Sequence, residues 1–72
     1  MEPLTKKQEE IYHFIEQFIE ESGYSPTIRE ICGYMNLNST ATVWVHLMKM
    51  KKKQYIDFEK RKPRTIKLLE RR

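Results

Sequence analysis

The stretch NSTATVWVHLMKMKKK, residues 38–53, decides the fold, and the rest of the chain is organised around it. It opens with three small polar residues, which are typical of helix N-caps because their side chains accept hydrogen bonds from free backbone N–H groups. It continues without Gly or Pro, and Val43, Leu47 and Met50 recur at the spacing of one helical face. The sequence therefore predicts a helix that follows at Ser39 and packs on the core by this face.

The opposite face of this helix lacks the Lys and Glu that usually cover a solvent-exposed surface. It is small and polar at its start, carries Trp44 in the middle and ends in the run 51–53, three lysines. That order suits a helix whose first turns contact base edges and whose flank contacts phosphate. An ordinary amphipathic helix with one isolated Trp is equally consistent with this stretch alone.

Composition favours one small folded domain, residues 1–72. The chain is too short for a second domain, and the single cysteine, Cys32, excludes an intrachain disulfide. A domain of this size buries only about 60% of its unfolded surface, so a deep catalytic pocket is not expected. No signal peptide and no run of roughly 18 apolar residues is present, and we expect a cytoplasmic protein without a membrane partner.

Charge is divided unevenly along the chain. Residues 1–36 contain three basic side chains and seven Glu, a net charge of −4, whereas residues 37–72 contain eleven basic and three acidic side chains, a net charge of +8. Such a division indicates one face turned toward a polyanion, although a charge run is more often a solvated surface. No segment combines a basic helix with the broad apolar face that an anionic membrane requires.

Two capping boxes predict the helices that precede this stretch. Thr5 with Gln8 opens a first helix over residues 6–22, which Gly23 ends. Thr27 with Glu30 opens a short second helix over residues 28–35. The predicted core residues of these helices are Ile11, Phe14, Ile15, Phe18, Ile19, Ile28, Ile31 and Met35. Two short helices joined by a tight connection form the helix-turn-helix pattern.

The character of the chain changes after residue 53. Apolar and polar residues alternate over residues 55–58 and 65–68, which predicts two strands, and the charged segment 59–64 between them predicts a basic hairpin tip. The residues expected to face the helices are Ile56, Phe58, Ile66 and Leu68. The predicted fold class is α+β, mainly α: a three-helix winged helix-turn-helix with a C-terminal two-stranded β-hairpin wing.

These residues, in this order, resemble the N-terminal DNA-binding domain of the LexA repressor family. The similarity lies in Leu4-Thr5 with Gln8, the segment GYSPT at 23–27 and Arg29-Glu30-Ile31. It continues through Leu37 with Ser39, Thr42-Val43, His46-Leu47, Tyr55-Ile56, Pro63-Arg64 and Ile66. The resemblance implies a winged domain that places its third helix in the major groove and its hairpin tip on the DNA backbone.

The resemblance also implies which residues face the bases. The matching positions lie at the start and on the outer face of the third helix: Ser39, Thr40, Ala41, Thr42, Trp44 and Val45. Trp44 and Val45 stand where polar residues are typical, so the operator sequence of the family is not carried over. Gln54 stands where the family tends to have Gly, and it must adopt a strained backbone or end the helix differently.

Basic and polar residues around that helix are the expected phosphate contacts, with simple solvation as the alternative for each cation. They are Lys7, Thr27, Lys49, Lys52, Lys53, Lys60, Arg61, Lys62 and Arg64. His13 is expected to be solvated, His46 to be packed and Cys32 to be a small apolar residue near the core. These three have no metal-ligand spacing, and we expect no metal, cofactor or small-molecule ligand.

LexA proteins carry a C-terminal domain that self-cleaves through a Ser–Lys pair, and we expect neither that domain nor an enzyme activity in this chain. It is either a domain fragment or a stand-alone relative. The expected function is sequence-specific binding of double-stranded DNA in transcriptional repression, in an SOS-like response or for a mobile element, with a possible homodimer on adjacent half-sites. The alternative is a protein-interaction module whose apolar anchor is an exposed surface of Trp44, Val45 and Met48.

Overall fold

The computed structural model describes residues 2–69 as three helices followed by a short antiparallel hairpin. The elements are α1 (Lys6–Ser22), α2 (Ile28–Tyr34), α3 (Thr40–Lys52), β1 (Ile56–Asp57) and β2 (Lys67–Leu68). This order confirms the predicted winged helix-turn-helix, in which the β1–β2 hairpin is the wing. Residues 70–72, which the sequence suggests are a frayed tail, lie outside the described residues.

Each helix begins at a side chain that binds free backbone N–H groups. At α1, Gln8 N donates to Thr5 Oγ1 and Thr5 N donates to Gln8 Oε1, both at 3.2 Å. Thr27 and Glu30 form the same reciprocal pair at α2. Ser39 Oγ accepts a hydrogen bond at 3.1 Å from the backbone N–H two residues further on. The predicted starts of all three helices are therefore confirmed.

Residues in the left-handed backbone region end the helices: Gly23 at φ 81°, Asn36 at φ 55° and Gln54 at φ 70°. After α3, Tyr55 N donates to Met50 O at 3.1 Å and Gln54 N donates at 2.9 Å to the carbonyl three residues earlier. This pair of bonds is a Schellman motif, which satisfies carbonyls that the helix leaves free. Gln54 thus adopts the strained backbone expected of a non-glycine residue at this position.

The core lies between the three helices and the inner side of the wing. Val43, Leu47 and Met50 of α3 are completely buried, as the spacing of α3 predicts. They belong to one apolar cluster with residues from α1, α2 and both strands. The fully buried partners include Ile31 of α2 and Ile56 of β1. Every described element therefore contributes to holding α3.

The buried face of α1 is rotated relative to the predicted stripe. Ile11 and Ile15 are completely buried as expected, but Tyr12 is also buried, whereas Phe14 lies only partly buried at the edge of the core. The reason is an aromatic contact, since the ring of Tyr12 packs edge-on against Tyr55, with ring centroids 6.4 Å apart. Helical spacing within α1 could not predict this contact, because Tyr55 lies beyond α3 in the sequence.

The wing has a shorter ladder than the four-residue strands predicted for it. The ladder pairs Ile56 with Leu68 and Asp57 with Lys67. It stops there because Phe58 N donates to the Asp57 carboxylate at 2.9 Å instead of to the opposite strand. The residues that face the helices are, as predicted, Ile56, Phe58, Ile66 and Leu68.

Replacing Gln54 with glycine is expected to raise the free energy of unfolding by about 0.5–1 kcal/mol, because glycine adopts a positive φ without a steric cost. In a domain of this size, that gain corresponds to a rise in melting temperature of roughly 2–8 °C. Urea denaturation followed by circular dichroism measures the change. Gln54→Ala keeps the Cβ atom and is the matched control; an equal gain in the alanine variant would contradict the role of φ.

Candidate nucleic-acid interface

The start and outer face of α3 form one exposed surface without charged side chains. It contains five of the six residues predicted to face bases: Ser39, Thr40, Ala41, Thr42 and Val45. Val45 is a large apolar side chain that is 50% exposed. The buried residues of α3 lie on its other side, so the packing of the core leaves this surface accessible. Contact with bases stays a prediction for each of these residues.

Trp44, the sixth residue, lies differently. Its ring is only partly exposed and packs edge-on against Phe58 of the wing, with centroids 5.5 Å apart. It lines a cleft of about 300 Å³ between α2, α3 and the wing, which Ile28 also lines. Trp44 is therefore less exposed than the alternative hypothesis of a protein-binding anchor assumes, because this ring connects α3 to the wing, and that hypothesis stays a prediction.

The rim of this cleft is cationic. Lys60, Arg61 and Lys62 at the tip of the wing are exposed, as predicted. Among residues 2–69, Lys62 alone of the three forms an ion pair, with Glu59 at an N–O distance of 3.8 Å. Arg29 is also exposed and lines the same cleft. Arg29 was not among the predicted contacts, although its place in the first turn of α2, two residues after the N-cap Thr27, was a usable signal. The cleft thus brings Arg29 and the cations of the wing tip together beside α3, and Arg64 also lines it.

Arg64 anchors the wing to α2. Its Nη1 donates to Glu30 Oε1 and to the Ser25 carbonyl, both at 3.0 Å, and its Nη2 lies 3.4 Å from Glu30 Oε2. Its guanidinium carbon lies 4.7 Å from the centroid of the Tyr24 ring. The prediction treated Arg64 as a cation free to contact phosphate. The guanidinium is already engaged within the domain while the side chain stays partly exposed, and its contact with phosphate stays a prediction.

Thr27 also has an internal role. Its hydroxyl accepts from Glu30 N at 3.1 Å and donates to Glu30 Oε1 at 3.2 Å, which caps α2. Its contact with phosphate stays a prediction. The Thr27 backbone N–H bond to Glu30, together with the Arg64 guanidinium, holds the pKa of Glu30 below its ordinary value, against a smaller opposing effect of desolvation. A carboxylate that stays ionised to lower pH keeps its partners in place.

Lys53 is the third predicted phosphate contact with internal partners. Its Nζ donates to the Pro3 carbonyl and to Gln8 Oε1, both at 3.0 Å, which ties the end of α3 to the start of α1. Its contact with phosphate stays a prediction, although this Nζ already has two partners within the domain. By contrast, Lys7, Lys49 and Lys52 are exposed and make no hydrogen bond or ion pair with another described residue. Their predicted phosphate contacts stay predictions.

An open cavity of about 630 Å³ lies between the start of α1 and the C-terminal half of α3. It is lined by Glu2, Thr5, Gln8, His46, Lys49, Lys52, Lys53 and Gln54. His46 Nδ1 is buried and has no hydrogen-bond partner among the described residues. Burial, together with the positive charges of Lys49 and Lys7, lowers the pKa of His46. The sequence predicted a packed histidine but not the lysines that surround it.

Within residues 2–69, no helix is both long and apolar enough to span a membrane. The same residues contain no group of three side chains that could hold a metal ion.

An uncharged, exposed helix surface flanked by free cations matches the layout of a known domain. A family model described as LexA DNA binding domain matches residues 1–65. The chain belongs to the LexA DNA-binding domain family. The resemblance inferred from the sequence is thereby confirmed, and the helix-turn-helix of this LexA family domain is formed by α2 and α3.

Three curated relatives illustrate the similarity. The LexA repressor of Caldicellulosiruptor saccharolyticus is 51% identical over 67 residues, which cover 93% of this chain and 33% of the relative. That of Lactobacillus johnsonii is 46% identical over 70 residues, 97% of this chain and 34% of the relative. That of Staphylococcus aureus is 42% identical over 69 residues, 96% of this chain and 33% of the relative. This chain spans about a third of the length of these relatives.

Replacing Arg64 with glutamine is expected to lower the free energy of unfolding at pH 7, with a smaller loss near pH 3. The folded-state pKa of Glu30 is lowered, so its contribution is present above its ordinary pKa and is lost as pH falls through the folded-state pKa. Urea denaturation at both pH values measures the two losses.

The control is Lys62→Gln, which removes an exposed ion pair and should change the free energy of unfolding by at most about 0.5 kcal/mol. If Arg64→Gln destabilises the domain equally at the two pH values, Arg64 does not stabilise the domain through ionised Glu30.

Proposed function

We propose that this domain binds double-stranded DNA sequence-specifically, with α3 in the major groove. The observation that carries the proposal is the exposed N-terminal half of α3, uncharged and followed on the same helix by the free cations Lys49 and Lys52. In helix-turn-helix proteins the first turns of the second helix contact base edges, and flanking cations contact phosphate. Membership of the LexA DNA-binding domain family supports the same assignment.

Hydroxyl and apolar groups provide the base contacts in this proposal. The hydroxyls of Ser39 and Thr42 donate or accept hydrogen bonds at base edges, and Ala41 and Val45 contact thymine methyl groups. The accessible edge of Trp44 contacts a thymine methyl or a sugar at the border of the groove. Such a surface reads sequence by shape and by a few hydrogen bonds, because it contains no charged or amide side chain.

Cations on three elements provide the backbone contacts. Lys49 and Lys52 lie on α3, Lys60 and Arg61 lie at the tip of the wing, and Lys7 lies on α1. Each phosphate neutralised by such a cation releases a counterion, so binding weakens as salt concentration rises. The wing contacts are expected to strengthen binding to every sequence alike, since phosphates carry no direct sequence information.

The wider role that we infer is transcriptional repression. The relatives are named LexA repressor. For this chain we infer repression in the cytoplasm, in an SOS-type response or for a mobile element. Two copies on adjacent half-sites bind more tightly than one, because the second contact forms at a high effective concentration. We propose no catalytic role, since the family match covers a DNA-binding domain alone.

Replacing Lys60 and Arg61 together with glutamine is expected to weaken binding to all duplexes and to reduce the steepness of the salt dependence by about two, one for each lost phosphate contact. Fluorescence anisotropy at several salt concentrations, on a duplex selected from random sequence and on its scrambled form, measures both effects. Lys67→Gln removes an exposed cation of β2 outside the proposed contact set and is the control. Binding that is equal on selected and scrambled duplexes would refute the proposed function.

Replacing Thr42 with alanine is expected to relax the sequence preference at one base pair, at a cost of about 1–3 kcal/mol on the selected duplex. Binding to the scrambled duplex should change little, because a lost base contact leaves the phosphate contacts intact. Repeating the selection with the variant measures the preference position by position. If the sequence preference is unchanged and binding to both duplexes weakens equally, Thr42 contacts the DNA backbone and not a base.

A further inference from the structure

The cavity between α1 and α3 is a cationic site apart from the base-facing surface. Lys49 and Lys52 are exposed on its wall, and Lys53 lies beside them. Glu2 is the one carboxylate among the described residues that line it. Like charges held close together repel one another, so a cavity with this lining favours an anion.

Part of this site is already held in place. Lys53 Nζ is fixed by hydrogen bonds to the Pro3 carbonyl and Gln8 Oε1, so its charge stays at the junction of α1 and α3 without an added ligand. Lys49 and Lys52 have no such partners and can close on an anion that enters. A site with one fixed and two adjustable cations needs little rearrangement to bind.

His46 lies in the wall of this cavity with a buried, unpaired Nδ1. The charged groups around it come from each neighbouring segment. They are Lys7 of α1, Glu2 of the N-terminal segment, and Lys49, Lys52 and Lys53 of α3 and its end. Burial, together with the positive charges of Lys49 and Lys7, lowers the pKa of the imidazole, and a bound anion would oppose the effect of those charges.

We propose that this cavity binds one phosphate group and that His46 gains a proton when the phosphate enters. The phosphate in this inference belongs to the DNA backbone, so the inference rests on the proposed function. Lys49 and Lys52 lie about 10–15 Å along the axis of α3 from Thr42. The major groove is about 12 Å wide, so a helix that reads bases near Thr42 places these lysines at the strand that borders the groove.

The consequence is DNA binding linked to proton uptake. The free domain has a lowered His46 pKa, and the bound phosphate raises it, so the complex holds a proton that the free domain lacks. Affinity therefore increases as pH falls. For a single linked proton, we expect binding to tighten by about three- to tenfold between pH 7.5 and pH 6.

Nuclear magnetic resonance of the two imidazole side chains tests this inference. The pH titration of His46 is followed in the free domain, with the selected duplex and with inorganic sulfate, an oxyanion whose charge is constant over this pH range. The His46 pKa should rise with the duplex and, at high concentration, with sulfate. His13, which is exposed beside Glu16, is the internal control and should not respond.

Variants supply an independent measurement. Anisotropy titrations of His46→Gln should lose the pH dependence of binding, whereas the matched control His13→Gln should retain it. Lys49→Gln should weaken duplex binding and diminish the rise in the His46 pKa. Circular dichroism confirms that each variant is folded, and the wild-type titration needs no variant.

The outcomes separate the two proposals. A duplex that binds without raising the His46 pKa overturns this inference and leaves the proposed function intact. If the duplex does not bind but sulfate raises the His46 pKa, the proposed function is refuted and the cavity is supported as an anion site. An unchanged His46 pKa with both probes overturns the cavity as a phosphate site.

Discussion

Burial of Val43, Leu47 and Met50 fixes the rotation of α3 about its own axis, and the rest of the structure depends on that constraint. All three side chains are completely inaccessible, and each contributes about 1.5–3 kcal/mol through burial. Turning α3 by one residue would expose part of this set and bury Thr42 in one direction or Trp44 in the other. In so small a domain no second core compensates for that loss, so the packing that stabilises the fold also presents the candidate interface.

The position of the wing depends on side chains rather than on its own ladder. Two strands of two residues are not stable by themselves. Lys51 Nζ donates to the Phe58 carbonyl at 3.0 Å and lies 3.3 Å from an Asp57 carboxylate oxygen, while Trp44 packs on the Phe58 ring. Arg64 fixes the other end of the wing to α2. Lys51 of α3 and Arg64 of the wing therefore hold the wing in place, whereas the basic residues at its tip, 60–62, stay accessible.

The features that local patterns determine could be predicted from the sequence. A capping box needs only residues three apart, so the starts of α1 and α2 followed from Thr5 and Thr27. The partners of Arg64 and Lys53 could not be predicted, because Glu30 lies 34 residues from Arg64 and Pro3 lies 50 residues from Lys53. Nothing in a local run of basic residues distinguishes a cation that holds the fold from one that is free. Contacts between distant segments decide which cations remain for a ligand.

The uncharged first turns of α3 and the cations around them differ in what they can contribute to recognition of a duplex. Its exposed first turns have hydroxyl and apolar groups, and each good base contact discriminates by about 1–3 kcal/mol. Under the proposed function, the cations of α3, the wing and α1 would add affinity for any duplex and no direct discrimination. One copy with a few base contacts is therefore weakly selective relative to its non-specific binding. Under the proposed function, two copies on adjacent half-sites would double the discrimination energy, so selectivity would come from pairing and the cations would mainly supply affinity.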